Sequence, residues 1–273
     1  MLLRLFCWLF AATILATSLH ARSDTRDDAA PTALVYRNIG GRELKLFSFP
    51  SATLSDAARP AILMVQGGAW SRGTPEQLFR PARYFAQNGF LPVVVGYRLA
   101  DAVNSPVESF SDVCYALAFL RRNAQTLGVV PSRIAAWGIS SSGQLVASAA
   151  TLGCGSAEAG PSNGGPDALL LISPVVDAVS DGLFRRLMEG HANPASFSPT
   201  HTLTRSIAPT LITQGDADQT TPIGRSKVFC DLARKLRSHC ELVAFGGQGH
   251  VLDRASRDQA LELQVTFLRK AWQ

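Results

Sequence analysis

The sequence predicts an α/β domain on an eight-stranded, mostly parallel sheet with helices on both faces and a small cap or none. Eight short apolar or β-branched runs, near 33–37, 43–49, 61–66, 91–97, 133–137, 167–172, 209–214 and 240–245, read as strands. Helical patterns near 76–88, 107–127, 141–152, 222–238 and 254–271 alternate with the later runs, as in a parallel sheet covered on both sides. The first two runs have no helix between them and read as an antiparallel hairpin.

At 273 residues the chain suits one large domain, and 47% hydrophobic against 17% charged residues, with 14 Phe and 4 Trp, is globular composition. Arg4 followed by the apolar run Leu5 to Leu15 reads as a signal peptide over residues 1–21, too short to span a bilayer, with cleavage after Ala21 and export to the periplasm or medium. An uncleaved N-terminal anchor is the alternative. Residues 22–32 read as a flexible lead-in, and the folded domain as 33–273. Without the leader the net charge is about +4 and has no basic run, too diffuse to argue for nucleic acid. Cys114, Cys154, Cys230 and Cys240 remain; chain proximity pairs Cys230 with Cys240 and Cys114 with Cys154, and four buried free thiols are the alternative. Gly153 to Pro166 reads as a surface loop, and residues 174–208 as the segment from which a cap would come.

In such sheets ligands meet the carboxyl ends of the strands. Strand 133–137 ends in WGISSSGQ and runs straight into a helical pattern, so a serine stands on a tight strand-to-helix turn above a helix N-terminus. Ser140 fits the central position better than Ser141, which would put the branched Ile139 where the turn needs a small residue. A serine-rich N-cap without chemistry looks the same in isolation. Strand 61–66 ends in QGGAW, a glycine turn whose amides suit a developing oxyanion; Gly68 or Ala69, with Ser141, are the candidate donors. Of the histidines outside the leader, His250 in GGQGH follows the last strand and is the candidate base, ahead of His191, His201 and His239. The seventh strand is followed by QGDADQTTP. There Asp218 is the candidate acid, since Asp216 follows the turn glycine and suits local capping, and Asp177 is the third choice. No cluster with metal-ligand spacing accompanies these residues, and the chemistry they suggest calls for no cofactor.

With those blocks in order, Leu34 to Leu268 resembles the esterase/lipase group of the α/β-hydrolases, near hormone-sensitive-lipase-like and bacterial feruloyl- or acetyl-xylan-esterase-like enzymes. QGGAW stands where that group has HGGGW or HGGxW, GYRLA for DYRLA, and SRIAAWGISSSGQL for a form like DRIAVWGSSAGGHL. QGDADQTTP stands for HGxxDxxVP, and GGQGH for GxGH. The resemblance implies the α/β-hydrolase fold and a Ser140, Asp218 and His250 triad. It also implies a serine esterase, and together with export it suggests short-acyl or aryl esters, including acetyl or feruloyl groups on saccharides, as the substrates. The departures singled out are Gln66, Ala69, Gly96, Ser142 and Gln144. Two rival expectations are an amidase, formamidase or peptidase with the same triad, and a non-catalytic binding protein that has kept the fold.

Overall fold

The computed structural model describes residues 30–49, 57–155 and 164–273. The expected leader, the lead-in through residue 29 and most of the Gly153 to Pro166 loop lie outside the described residues. Eight strands form one sheet in the order β1-β2-β4-β3-β5-β6-β7-β8. Their ranges are β1 (Thr32–Ile39), β2 (Arg42–Ser48), β3 (Arg59–Val65), β4 (Leu91–Val95), β5 (Val129–Ile139), β6 (Ala168–Ile172), β7 (Thr210–Gly215) and β8 (Cys240–Phe245). β2 pairs antiparallel with β1 and with β4, and every other pairing is parallel, so the expected α/β-hydrolase sheet is the one found.

Burial explains the two kinds of strand pattern. β1 and β2 alternate because one face is wetted, and Gly40 and Gly41 at φ 56° and 86° close their hairpin in the left-handed region that L-residues avoid. β4 and β6 are apolar at every position because both faces are covered. In β3 the two-residue pleat sends Ala61, Leu63 and Val65 to one core and Ile62 and Met64 to the other.

The first core is completed by α2 (Pro106–Arg122), α4 (Ser141–Leu152) and α7 (Ile223–Lys235), the second by α1 (Phe79–Gln87) and α8 (Arg254–Ala271). The helix expected over 107–127 breaks at Asn123, and the short α3 (Ala124–Leu127) ends at Gly128, whose φ of 62° stops it. Residues 174–208 hold two short helices, α5 (Gly182–Met188) and α6 (Pro199–Thr202), with 3₁₀ turns at Ala178–Ser180 and Pro194–Phe197. This small excursion packs Phe184 on Trp70 at 5.0 Å and Phe197 on Phe110 at 5.4 Å between ring centroids. Disulfides join Cys114 to Cys154 and Cys230 to Cys240, the pairing expected from chain proximity. Among the described residues no helix is long and apolar enough to cross a membrane.

Three elements are tied by one buried carboxylate. Asp112 of α2, with no exposed side-chain surface, accepts from Arg37 Nη1 of β1 at 2.6 Å and from Arg98 Nε and Nη2 at 2.8 and 2.9 Å. Arg37 also stacks on Tyr115, 3.5 Å from the ring centroid. Removing one partner of such a group leaves unpaired charge in a dry place. Asp112→Asn is therefore expected to lose about 3 kcal/mol of stability, read as a lower denaturant midpoint with little change in slope.

Candidate active site

β5 delivers Ser140 to the carboxyl edge of the sheet, and α4 begins at the next residue. Ser140 has φ 56° and ψ −121°, a strained conformation for a residue with a side chain. Its backbone is held on both sides: its N–H donates to Ile172 O at 3.0 Å, and its carbonyl accepts from Gly143 N at 3.1 Å and Val175 N at 3.0 Å. Gly143 is required by space, since a Cβ there would meet Pro174 Cβ at 2.6 Å.

Ser142, where the G-x-S-x-G pattern has glycine, sits inside this turn. Its hydroxyl accepts from Ile139 N at 2.9 Å and donates to Val65 O at 2.7 Å, with Ile139 O at 2.9 Å as the second acceptor. The side chain therefore fastens the turn to the end of β3. Gln144, where the family pattern has His, is likewise satisfied: it accepts from Trp70 Nε1 at 2.8 Å and donates to Phe197 O at 2.7 Å and Ser148 Oγ at 3.0 Å. It links the glycine turn, α4 and the excursion.

The glycine turn after β3 lies against this elbow. A Cβ on Gly67 would meet Ile139 O at 2.7 Å, and one on Gly68, at φ 129°, would meet Arg72 O at 2.0 Å. Ala69 and Trp70 follow at φ 53° and 60°, and Ser71 N closes the turn onto Ala69 O at 2.8 Å. Two further departures lie nearby. Gln66 is buried, its backbone carbonyl accepting from the Tyr97 hydroxyl at 2.9 Å while its side-chain Oε1 has no partner among the described residues, and the backbone carbonyl of Gly96 accepts from the Tyr36 hydroxyl at 3.0 Å.

The loops after β7 and β8 bring the other two candidates to Ser140. Asp216 N donates to Phe245 O at 3.1 Å, Ala217 N to Gln248 O at 3.0 Å, and Gly247 N to Asp216 Oδ1 at 2.7 Å. Asp216 thus braces the histidine loop rather than capping only its own turn, because the parallel pairing of β7 and β8 puts the two loops side by side. In this setting His250 Nε2 is 2.9 Å from Ser140 Oγ, and His250 Nδ1 is 2.9 Å from Asp218 Oδ2.

Asp218 is buried and saturated with donors. Oδ1 accepts from the amides of Thr220 at 2.8 Å and Thr221 at 2.9 Å; Oδ2 accepts from Thr221 Oγ1 at 2.7 Å and Gln214 Nε2 at 3.2 Å besides His250. Burial alone would raise this carboxyl, but the Thr221 hydroxyl and amide, with His250, outweigh it and hold Asp218 below the usual carboxylate range. A carboxyl depressed by folding adds stability above its unfolded value, and that stability is lost as pH falls through the folded value.

The remaining candidates stand apart from this relay. His239 pairs with Glu241 at 2.7 Å, His201 meets Ser198 Oγ at 3.0 Å, and His191 is exposed on the excursion. Asp177, after β6, accepts from the Ser180 hydroxyl. Ser141 is buried, its hydroxyl unpartnered among the described residues, and its amide opens α4. Sequence reading missed Thr221 and Gln214. The signal was present, since QGDADQTTP differs from HGxxDxxVP at both positions. Among the described residues no three His, Cys, Asp or Glu are gathered as a metal site.

The BD-FAE family model, of an esterase/lipase-like α/β-hydrolase group, matches residues 49–160, the span holding the glycine turn and the elbow. A thermophilic esterase from the Planctomycetes species Thermogutta terrifontis is similar at TM-score 0.81 and 27% identity, covering 89% of this chain and 93% of that one. The same esterase with propionate bound gives 0.81 and 28%, covering 89% and 95%. Its form phosphonylated by sarin gives 0.82 and 27%, again covering 89% and 95%. No curated protein matches the sequence.

Because Ser142 satisfies both Ile139 N and Val65 O, its removal strands buried polar groups. Ser142→Ala is expected to cost about 1–3 kcal/mol in chemical denaturation.

Proposed function

Because the chain is a serine esterase of the α/β-hydrolase fold, we propose that Ser140 is its nucleophile, His250 its general base and Asp218 the acid that orients the imidazole. The observation that carries this reading is the unbroken relay of two 2.9 Å contacts from Ser140 Oγ through His250 to Asp218 Oδ2, at the head of a strained elbow. His250 Nε2 takes the Ser140 proton as Oγ adds to the ester carbonyl. The carbonyl oxygen, now an anion, is met by the amide of Ser141 and that of Gly68 or Ala69; one such donor is worth about 2.7–4 kcal/mol. The imidazolium returns its proton to the leaving alcohol, and water repeats the sequence on the acyl-enzyme. Asp218, held ionised by its donors, fixes the tautomer with Nε2 free and stabilises the cation.

The substrates are short-acyl or aryl esters, with acetyl or feruloyl groups on saccharides the extended form. In support, the Thermogutta esterase is known with propionate and with butyrate bound, and the BD-FAE model covers the elbow. The enzyme is exported, with the leader cleaved. That reading is supported by the Arg4 and Leu5 to Leu15 pattern and by the two disulfides, which persist in oxidising compartments.

Fluorophosphonate labelling of the mature protein is expected to vanish in Ser140→Ala and persist in Ser141→Ala. Loss in Ser141→Ala alone would move the nucleophile. Asp218→Asn is expected to lower kcat on an aryl acetate by about 10⁴ with the fold intact. Export is checked by the N-terminal sequence of protein recovered outside the cytoplasm, expected to start just beyond Ala21.

A further inference from the structure

The acid of this relay has a neighbour with a specific task. Thr221 Oγ1 lies 2.7 Å from Asp218 Oδ2, 3.2 Å from His250 Nδ1 and 3.1 Å from Ser173 O. The hydroxyl has one proton, and both the carboxylate and the carbonyl are pure acceptors. Two oxygens at 2.7 Å, one of them anionic, are bound only if a proton lies between them, so the proton belongs to Asp218. A lone pair is then left facing His250 Nδ1–H at the longer distance.

We propose that Thr221 is a positioning residue: its hydroxyl holds Asp218 Oδ2 in the plane that His250 Nδ1–H uses, and draws off part of that oxygen's accepting capacity. The inference rests on the triad reading above and names a residue that acts through Asp218 without touching substrate.

Thr221 is suited to this because each of its polar atoms is fixed. Its amide donates to Asp218 Oδ1 at 2.9 Å, and its carbonyl accepts from Gln214 Nε2, whose own Oε1 is held by Ser226 Oγ at 2.6 Å. Oδ2 is therefore shared among Thr221, His250 and Gln214, with Thr221 the shortest contact. Of the titratable groups only His250 acts on Asp218 through its charge. Asp216 and Asp253 on the flanking loops are engaged elsewhere, with Gly247 N at 2.7 Å and Ser256 N at 2.8 Å.

The direction of the effect follows. Without the hydroxyl, Oδ2 keeps only His250 and Gln214 as donors and loses its shortest contact. The carboxylate also loses one constraint on its rotamer, so the imidazole is less often aimed at Ser140.

The test compares Thr221→Val, Thr221→Ala and Thr221→Ser with the wild type in the full mature chain. The readout is kcat and KM on an aryl acetate across pH, with thermal unfolding to verify folding. Val and Ala are expected to lower kcat about tenfold at the plateau with KM little changed. Ser is expected to restore kcat. Val or Ala profiles that superimpose on the wild type, or a Ser variant displaced like Val, would overturn the proposal. If Val does not fold, Ala carries the comparison; if neither folds while Ser does, the hydroxyl is a structural fixture and the proposal fails. A wild type that cleaves no ester would instead sink the triad reading, so the two failures are told apart.

Discussion

The structure turns on the backbone of Ser140. A side-chain-bearing residue at φ 56° and ψ −121° costs about 1–3 kcal/mol, and it persists only where its surroundings over-determine it. Here β6 supplies the acceptor for its amide, the Pro174–Val175 segment closes on its carbonyl, and Ser142 fastens the turn to β3. β3, β5 and β6 must be neighbours for those contacts to exist, and they are neighbours in the sheet. Strand order and the exposure of the serine hydroxyl are thus one constraint.

Two buried glutamines distribute that constraint. Gln144 and Gln214 have no exposed surface, and both stand where the family pattern has histidine. Gln144 joins the glycine turn, α4 and the excursion; Gln214 joins Asp218, Thr221 and α7. An amide offers a donor and an acceptor together and does not titrate, so neither junction depends on the protonation of the glutamine itself. The acid site in consequence has one titrating neighbour, His250.

Farther from the reacting groups, cross-links hold the elements that carry them. The Asp112 cluster fixes β1 to α2, the Cys114–Cys154 disulfide fixes α2 to the end of α4, and Cys230–Cys240 fixes α7 to β8. Trp70 is the bridge between periphery and site. It is buried against Phe184, and its indole N–H reaches Gln144, so the excursion bears directly on the turn that carries the Gly68 and Ala69 amides.

All eight strands and the five main helical segments were legible in the sequence, because full burial in a parallel sheet leaves apolar runs and covering helices leave periodic ones. The three candidates Ser140, Asp218 and His250, which the structure brings into contact, could also be singled out in the sequence, since a tight elbow needs Gly138 and Gly143 beside it and the other two residues follow strand ends. What the sequence left open depended on contacts between distant segments. It singled out Ser142 and Gln144 as departures, and only packing against Val65, Trp70 and Phe197 made them fasteners. Asp216 looked like a local cap until β7 and β8 lay side by side, and Thr221 looked like a loop threonine until Asp218, His250 and Ser173 met around its hydroxyl. Periodicity and glycine placement are local and are written in the chain; the meeting of groups from three loops around one hydroxyl is decided only when the sheet assembles.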